Sequence, residues 1–548
     1  MRLEPAYSLP VEPWSMANRI ELNGENVHID TLWLVANAKP GSDVQVELAP
    51  LARRNMTESR AFIETKMKTG EAIYGVNTGF GAFSSVRISD SEIEQLQRNL
   101  IRSHSVGVGE LFSKKQSRAI LFLRANALAR GHSGIRVEVV EKLLEFLNND
   151  IIPAIPQQGS VGASGDLAPL SHLALAIIGE GKVFGEDYDE GNFEKSRVHV
   201  IPVKAALEKK GIKPLDLRAK EGLSMINGCQ VMTAVGLLAA FEAKRSALLT
   251  DLSGAMTLEA MQGSRSAFDP LISATRPHEG EIKTAKNLRA LLGETSPIAE
   301  SHKDCGRVQD AYSLRCMPAV HGAAKDAIRR GIEVLEIEAN SSTDNPLVFA
   351  PSENGAEGKI LSCGNFHGEP VAFQLDFMAI AVSAMASISE CRVEKLINPA
   401  MSGLPAFLAP QGGLNSGHMI VQVAAASLVS ENKILSHPAS VDSIPTSADK
   451  EDHVSMGAIA ARKFQAIVRN AESILAMEFL SATQALDMLK DDRGNKLLPS
   501  GAVKKALDLI RTKVPFAQED RVFHDDIEAI RQLIRSGELF KICEGLEF

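Results

Sequence analysis

Apolar residues recur at helical spacing along most of the chain after residue 90. Segments 91–106, 114–131 and 136–149 carry apolar side chains at i, i+3 and i+4 and end near Gly or Asn. This pattern predicts amphipathic helices. The first 60 residues instead mix short strand-like pieces with polar turns. They predict a leader followed by a small mixed subdomain.

The longest helical signals lie in the second half of the chain. They cover residues 230–250, 320–340, 370–397, 417–436 and 456–490. These segments are rich in Ala and are apolar around most of their circumference, so they need burial on several sides. This requirement for burial predicts a mainly α fold built on a central bundle of long helices, and an obligate oligomer.

A more polar stretch, residues 183–220, separates the two halves of the chain. Its Gly, Asp and Lys content is typical of a surface excursion at a domain boundary. We therefore expect an N-terminal domain over residues 1–220 and a long-helix domain over residues 221–548.

Composition narrows the possible partners of this 548-residue chain. Its formal charge of -9 argues against a phosphate backbone as ligand, since nucleic-acid binding needs clustered Lys and Arg. Apolar stretches such as 377–388 are shorter than the roughly 18 to 20 residues that span a bilayer. The start of the chain lacks the basic and apolar regions of a secretory signal, and its six cysteines form no CxxC pair. We expect a cytoplasmic protein without nucleic-acid or membrane partners and without a metal site.

Three connections are unusually rich in special residues, and the first surrounds Tyr74. Three glycines lie within residues 75–81, next to this tyrosine. The simpler interpretation is a flexible surface loop in which the ring only packs. The functional interpretation is a glycine-hinged lid whose phenol acts as a general acid or base, a role that tyrosine fills when its pKa is lowered.

The second connection is GSVGASGDLAPL at residues 159–170. It lacks the Lys-Ser/Thr pair of a P-loop and the strand-glycine-helix fingerprint of dinucleotide sites. One interpretation is structural, with Ser164 or Asp166 capping a helix that begins near Leu167. The alternative is backbone chemistry. The Gly165 nitrogen attacks the Ala163 carbonyl carbon, and dehydration of Ser164 leaves an exocyclic methylidene, which is an electrophile.

The third connection, VQDAYSLR at residues 308–315, places Tyr312 three residues before Arg315. On a helical turn this spacing brings the phenol and the guanidinium to one face. Arg is a natural bidentate partner for a substrate carboxylate. The simpler interpretation is a surface turn with a solvated Arg.

Taken together, these segments resemble the aromatic amino-acid lyases and aminomutases that carry a methylidene-imidazolone (MIO) group, and among them the histidine lyases. The resemblance runs from about residue 70 to residue 490. It implies the long-helix architecture shared with the fumarase and aspartase superfamily, with the MIO loop in the smaller N-terminal domain. It also implies a homotetramer with shared active sites. The ring would form from Ala163, Ser164 and Gly165, without an external cofactor or metal.

The resemblance also assigns roles to individual residues. The catalytic set that it implies is Tyr74, Ala163, Ser164, Gly165, Asn227, Tyr312, Arg315 and Phe366. In that set Tyr74 removes the β-proton, Asn227 holds the ring and the substrate amine, and Arg315 anchors the carboxylate. Tyr312 and Phe366 lie near the ring.

Substrate binding is implied at Ser103, His104, Gln309 and Glu451. The Ser103-His104 pair resembles the side-chain pocket of histidine lyases but also occurs in tyrosine aminomutases. Histidine lyases place a glutamate at the position of Glu451, where tyrosine and phenylalanine enzymes usually have an amide. A carboxylate can accept the N–H of an imidazole, whereas against a phenyl ring it would be a desolvated charge without a partner.

The expected reaction is therefore elimination of ammonia from L-histidine to give trans-urocanate. The nearest alternative keeps the ring and acts on tyrosine or phenylalanine, as an ammonia-lyase or a 2,3-aminomutase. A catalytically silent helical scaffold is an alternative of a different class. The fumarase and argininosuccinase group is a further alternative, but no segment resembles its mobile GSxxMPxKxN loop.

Overall fold

Helices dominate the protein. The computed structural model describes residues 19–39, 41, 44–83, 85–89, 91–186, 188, 199–351 and 356–548. Residues 1–18 of the predicted leader, and residues 187 and 189–198 of the predicted polar stretch, lie outside the described residues.

The α-helices of the first half come first in chain order. They are α1 (Ile29–Asn37), α2 (Pro50–Lys68), α3 (Ile93–His104), α4 (Lys114–Ala129), α5 (Val137–Asn148), α6 (Leu167–Ile177) and α7 (Val203–Lys210). The later ones are α8 (Glu221–Ile226), α9 (Gln230–Ala260), α10 (Pro270–Thr275), α11 (Glu279–Leu292), α12 (Pro297–Ser301), α13 (Tyr312–Arg315), α14 (Met317–Ala339), α15 (Glu369–Ile397), α16 (Pro399–Ser402), α17 (Met419–Leu435), α18 (Gly457–Met488), α19 (Gly501–Arg511) and α20 (Phe523–Arg535).

The strands are short and form two-stranded sheets. They are β1 (Arg19–Leu22), β2 (Gln45–Leu48), β3 (Val108–Leu111), β4 (Pro156–Gln158), β5 (Lys182–Phe184), β6 (Val200–Pro202), β7 (Leu347–Phe349) and β8 (Lys359–Leu361). β1 pairs with β2 in parallel, and the pairs β3–β4, β5–β6 and β7–β8 are antiparallel. The predicted strand-like pieces near the N-terminus are β1 and β2.

The five long helical signals of the sequence correspond to α9, α14, α15, α17 and α18, so the predicted mainly α fold is confirmed. Helix α9 runs to Ala260 instead of ending near residue 250. Its last part contains Asp251, Ser253 and Thr257, which weaken the apolar signal in the sequence. All three are buried and have polar partners from neighbouring helices, and tertiary packing therefore sustains the helix.

A buried ion pair lies at the centre of the bundle formed by α9, α14, α15 and α18. Arg392 of α15 donates to Glu478 of α18 at 2.8 Å, and neither side chain is exposed. Ser253 and Thr257 of α9 donate to the same carboxylate at 2.9 and 2.8 Å. Burial opposes the charged form, but Arg392 and the hydroxyl donors outweigh it and lower the pKa of Glu478. These directional contacts bind three helices at one level of the bundle.

Helix α15 is long and apolar enough to cross a membrane by length and composition. In its most apolar window, 61% of the residues are buried inside the chain. It packs against α14, α17 and α18, and it carries the buried Arg392. These contacts make α15 a core helix of the bundle.

The main hydrophobic core is continuous across the predicted domain boundary. It includes residues from Leu22 to Cys543 and contains side chains on both sides of residue 220. The end of the predicted polar stretch is itself buried. Lys220 has no exposed surface and pairs with Asp344 at 2.7 Å. The division at residue 220 stays a prediction.

Candidate active site

A cavity of about 960 Å³ opens beside the 159–170 connection. Seven of the residues singled out in the sequence line it: Tyr74, His104, Ala163, Ser164, Asn227, Phe366 and Glu451. They come from distant parts of the chain and from loops at the ends of α3, α6, α8 and α15. The fold therefore gathers most of the predicted site in one place.

The turn that contains Ala163, Ser164 and Gly165 requires glycine at both ends. Gly162 and Gly165 have φ values of +70° and +72°, in the region that side chains avoid. A Cβ on Gly165 would lie 2.3 Å from the Gly228 carbonyl oxygen. Gly165 forms an isolated parallel bridge with Gly228, and the next amide, of Asp166, donates to the Gly228 oxygen at 2.8 Å. The turn is thus pressed tightly against the start of α9.

Asp166 caps a helix, but not the one that the sequence predicts. Its carboxylate makes no cap hydrogen bond to α6. It accepts instead from the Val231 and Met232 amides at the start of α9, each at 3.0 Å, and from Ser160 at 3.1 Å. The structural interpretation with Asp166 capping its own helix is wrong because α9 presents free amides to the same carboxylate. Full burial raises the pKa of Asp166 to about 6.

Asn227 forms part of the cavity floor. In the amide orientation that satisfies both ends of its side chain, it donates to the Ser164 carbonyl oxygen at 2.9 Å and accepts from the Asn345 amide at 3.2 Å. The backbone carbonyl oxygen of Asn227 accepts from the Arg124 guanidinium at 2.9 Å. Arg124 has no exposed surface and also donates to the Ser224 carbonyl at 2.6 Å. Burial lowers the pKa of Arg124 to about 10.

Sequence reasoning missed the polar support beneath this floor. The Lys220 ammonium donates to Asp344 and Ser224, and Asp344 directly precedes Asn345. Burial opposes ionisation of Asp344, but Lys220 outweighs it and lowers the pKa of that carboxyl. Arg124 had a usable signal, because it is the one charged residue in the segment 119–129 of helix α4. Lys220 had none, because it lies in a stretch with a surface composition.

Glu451 faces Ser164 from a tight turn. Thr446 and Glu451 pair as an isolated antiparallel bridge, and residues 447–449 between them all have φ between +54° and +60°. One Glu451 oxygen accepts from the Ser164 hydroxyl at 2.9 Å and the other from the Thr446 hydroxyl at 2.8 Å. Consecutive left-handed residues other than glycine are costly, and such conformations cluster at functional sites.

The Tyr74 loop is ordered by a buried side chain. Asn77 is 2% exposed, accepts from the Ile73 amide at 2.7 Å and donates to the Glu71 carbonyl at 2.9 Å. Tyr74 is half-buried and meets Phe80 edge-on, with ring centroids 6.5 Å apart. Burial and the nearby Glu451 charge raise the pKa of Tyr74. The lowered pKa expected of a catalytic tyrosine is therefore absent from this single chain.

Of the Ser103-His104 pair, His104 lines the cavity and Ser103 does not. The His104 Nδ1 lies 2.9 Å from the Leu100 carbonyl oxygen, and burial lowers the pKa of His104. This contact assigns the Nδ1 proton to the carbonyl and leaves Nε2 free as an acceptor. Ser103 is exposed and outside the cavity lining, and its hydroxyl donates to the same carbonyl at 3.0 Å.

Gln309, Tyr312 and Arg315 form a separate group on the surface. Arg315 donates to the Gln309 side chain at 3.1 Å, and its guanidinium carbon lies 4.6 Å from the centre of the Tyr312 ring. The shared face predicted from the spacing is therefore observed. Tyr312 is 71% exposed, and none of the three residues lines the cavity in its own chain.

His367, Glu369 and His453 place possible metal-ligand atoms within 4.8 Å of one another at the cavity edge. Both ring nitrogens of His367 are already engaged. Nε2 lies 3.1 Å from the His453 carbonyl oxygen, and Nδ1 accepts from the Glu369 amide at 3.3 Å. This histidine joins the Phe366 loop to the segment that follows Glu451.

Comparison with known proteins agrees with this arrangement. The model of the family described as aromatic amino acid lyase matches residues 27–512. The chain belongs to this family. The match includes the Tyr74 loop, the 159–170 connection and the Glu451 turn, so the resemblance inferred from these segments is confirmed at the level of the family.

Individual relatives within the aromatic amino acid lyase family are similar over nearly their full length. A protein named histidine ammonia-lyase from Anaeromyxobacter sp. (strain K) is 49% identical over 520 residues, covering 94% of this chain and 99% of the relative. A crystal structure of histidine ammonia-lyase from Trypanosoma cruzi has a TM-score of 0.85 and 41% identity, covering 96% and 95% of the two chains. Tyrosine aminomutase from Streptomyces globisporus has a TM-score of 0.86 and 37% identity, covering 96% and 98%. The fold is therefore that of this lyase family.

Proposed function

We propose that the protein is an ammonia-lyase that converts L-histidine to trans-urocanate and ammonia. The observation that carries the proposal is the Glu451 carboxylate, which opens onto the same cavity as Ser164 and His104. A carboxylate there accepts an imidazole N–H and has no partner on a phenyl ring. The relative from Anaeromyxobacter, at 49% identity, is named histidine ammonia-lyase.

The residues of the 163–165 turn fit an MIO group. Gly165 has no side chain to obstruct its nitrogen, and a Cβ there would meet the backbone of Gly228. Asn227 donates to the Ser164 carbonyl oxygen, which such a ring retains. An MIO group supplies an electrophile that turns the substrate amine into a better leaving group. We assign Asn227, Phe366 and the Gly228 backbone to holding it.

The remaining residues act on the substrate itself. In the proposed arrangement Tyr74 removes the β-proton, Glu451 and His104 bind the imidazole, and Arg315 binds the carboxylate. The raised pKa of Tyr74 means that a free chain holds the phenol in its protonated form at neutral pH. A cation brought next to it favours the phenolate. We assign that cation to Arg315 of a second copy, with Gln309 and Tyr312 beside it.

We further propose a homotetramer with sites shared between copies. Large apolar side chains point outward from two long helices of the bundle. They are Phe373, Phe377 and Ile380 on α15 and Ile420, Val423 and Ile434 on α17, between 42% and 73% exposed. Such patches on long helices are typical of oligomer interfaces. The six cysteines are unpaired, as in a reducing cytoplasm, where we place the protein.

A substrate panel tests the proposal. The purified enzyme is incubated separately with L-histidine, L-tyrosine and L-phenylalanine, and the products are separated by chromatography. Urocanate from histidine is the expected product. Cinnamate or coumarate without urocanate, or a β-amino acid, would overturn the histidine assignment in favour of the tyrosine and phenylalanine alternatives. Full turnover by Ser164→Ala would overturn the ring-based mechanism.

A further inference from the structure

The hydroxyl of Ser164 has one acidic partner. It donates to Glu451 at 2.9 Å, across 287 residues of sequence. The second oxygen of Glu451 is held by Thr446 at 2.8 Å, so the carboxylate is fixed on both sides. This contact belongs to the unmodified tripeptide, before any ring exists. It concerns the very oxygen that must leave when Ser164 is dehydrated.

Three other ionisable groups near the turn, Asp166, Tyr74 and His104, have partners other than Ser164. Asp166, two residues away, directs its oxygens to Ser160 and to the first amides of α9. Tyr74 and His104 also line the cavity, but Tyr74 hydrogen-bonds to the backbone of Gly81, and His104 to the Leu100 carbonyl oxygen. Among the residues that the structure describes, Glu451 is therefore the carboxylate placed on the serine hydroxyl.

We propose that Glu451 is a catalytic residue in the maturation of the tripeptide, as the proton carrier for dehydration of Ser164, in addition to its role with substrate. The inference rests on the proposed MIO chemistry.

Cyclisation comes first: the Gly165 nitrogen bonds to the Ala163 carbonyl carbon, and the carbonyl oxygen leaves as one water. That water takes the amide protons of Gly165 and Ser164, and a C=N bond forms between the Ala163 carbon and the Ser164 nitrogen. The Ser164 Cα–H bond then lies between two electron-withdrawing groups of the ring and becomes acidic. Glu451 takes this proton, the electron pair forms the Cα–Cβ double bond, and the Cβ–Oγ bond breaks. The hydroxyl leaves as the second water with the proton from Glu451, which returns to its carboxylate form. No oxidant or reductant is needed.

One carboxylate can serve both proton transfers because both atoms of Ser164 lie close to it. Oγ is already at hydrogen-bond distance, and Cα is only two bonds from Oγ. Proton transfer by a positioned side chain typically contributes about 100-fold to 10,000-fold to a rate. Loss of the carboxylate should therefore slow the second dehydration by about 100-fold or more.

The test follows intact mass after a short pulse of cell-free synthesis of the full chain. Wild type should lose two waters. Glu451→Gln keeps the size and a polar contact to the hydroxyl but carries no transferable proton, and it should retain at least one water at times when wild type is mature. Tyr74→Phe is the matched control in the same cavity, and it should lose both waters although its turnover falls.

A carboxylate added in solution separates lost chemistry from lost folding. Glu451→Ala leaves a space open to the cavity, and sodium formate should restore loss of the second water, whereas sodium chloride at equal ionic strength should not. Maturation of Glu451→Gln at the wild-type rate would overturn this inference alone, as would absence of rescue by formate. A wild-type mass that retains both waters would overturn the proposed MIO chemistry itself.

Discussion

The carboxylate of Asp166 accepts the backbone N–H of Met232 at 3.0 Å, and this contact fastens the 163–165 turn to the start of the 31-residue helix α9. The Val231 amide donates to the same oxygen at 3.0 Å. A negative charge at a helix N-terminus is favourable, but here it is fully buried. The same contact therefore orders the turn and makes the protein sensitive to pH.

Asp166→Asn should change the dependence of stability on pH. The native pKa of Asp166, about 6, lies above its unfolded value of 3.8. The contribution of Asp166 to the free energy of unfolding is therefore fully present below about pH 4 and is lost as pH rises through 6. The loss approaches about 3 kcal/mol at neutral pH. The asparagine does not titrate, so the thermal midpoint of the variant should gain on that of wild type between about pH 4 and pH 7.

Because other groups titrate equally in both proteins, the difference between the two midpoints isolates Asp166. A difference that stays constant over this pH range would contradict the prediction. Asp487→Asn is a suitable control, since that carboxylate pairs with Arg511 and Lys496 outside the cavity. It should not reproduce the trend.

Tyr74→Phe should reduce kcat by about 100-fold to 10,000-fold, because the change removes the phenol that we propose takes the β-proton. The edge contact with Phe80 needs only the ring. The free energy of unfolding should therefore fall by no more than the contribution of one hydrogen bond, about 1 kcal/mol. Urocanate absorbance measures the first quantity and calorimetry the second. Tyr188→Phe, a ring packed on Phe184, should leave kcat unchanged.

The sequence predicted elements whose physical cause is local. Helices α14 and α15 carry their apolar patterns within the segment itself, and the contact between Tyr312 and Arg315 follows from helical spacing alone. The connection at 159–170 was recognisable because its glycines interrupt the helical pattern, and Gly162 and Gly165 have positive φ in the structure. In each case the deciding interaction lies within a few residues.

Features that depend on distant partners were not predictable in this way. Asp166 caps α9 because of how two helices meet, and the Lys220–Asp344 pair is buried only because the chain folds over it. The pKa of Tyr74 also belongs to the folded cavity, since burial and Glu451 raise it. The resemblance to a family predicted which residues form the site. The partners of these charged groups, and the direction of their pKa shifts, follow only from the three-dimensional arrangement.

Phe377→Glu should dissociate the proposed tetramer. This ring is 52% exposed on α15, in the middle of the outward apolar patch. A carboxylate buried in an apolar interface without a partner costs about 3 to 5 kcal/mol in each contact. Light scattering after size exclusion should show smaller species, and the urocanate assay should show a loss of activity. Leu271→Glu, at a residue 77% exposed on the short helix α10, is the matched control and should keep the wild-type mass.

Two inactive variants should restore activity when they share one tetramer. Tyr74→Phe removes a residue that lines the cavity of its own chain, and Tyr312→Phe removes one that lies outside that cavity. If Tyr312 serves the site of a second copy, a mixed tetramer contains sites with both native tyrosines. Random mixing of equal amounts gives such sites about a quarter of the time.

The two variants are therefore denatured together, refolded as a mixture and assayed for urocanate. Recovery near a quarter of the activity of identically refolded wild type is expected. Refolding each variant alone and mixing afterwards is the control, and it should give only the residual rates. If both tyrosines of a site came from one chain, every site would lack one of them, and co-refolding would recover no more than that control.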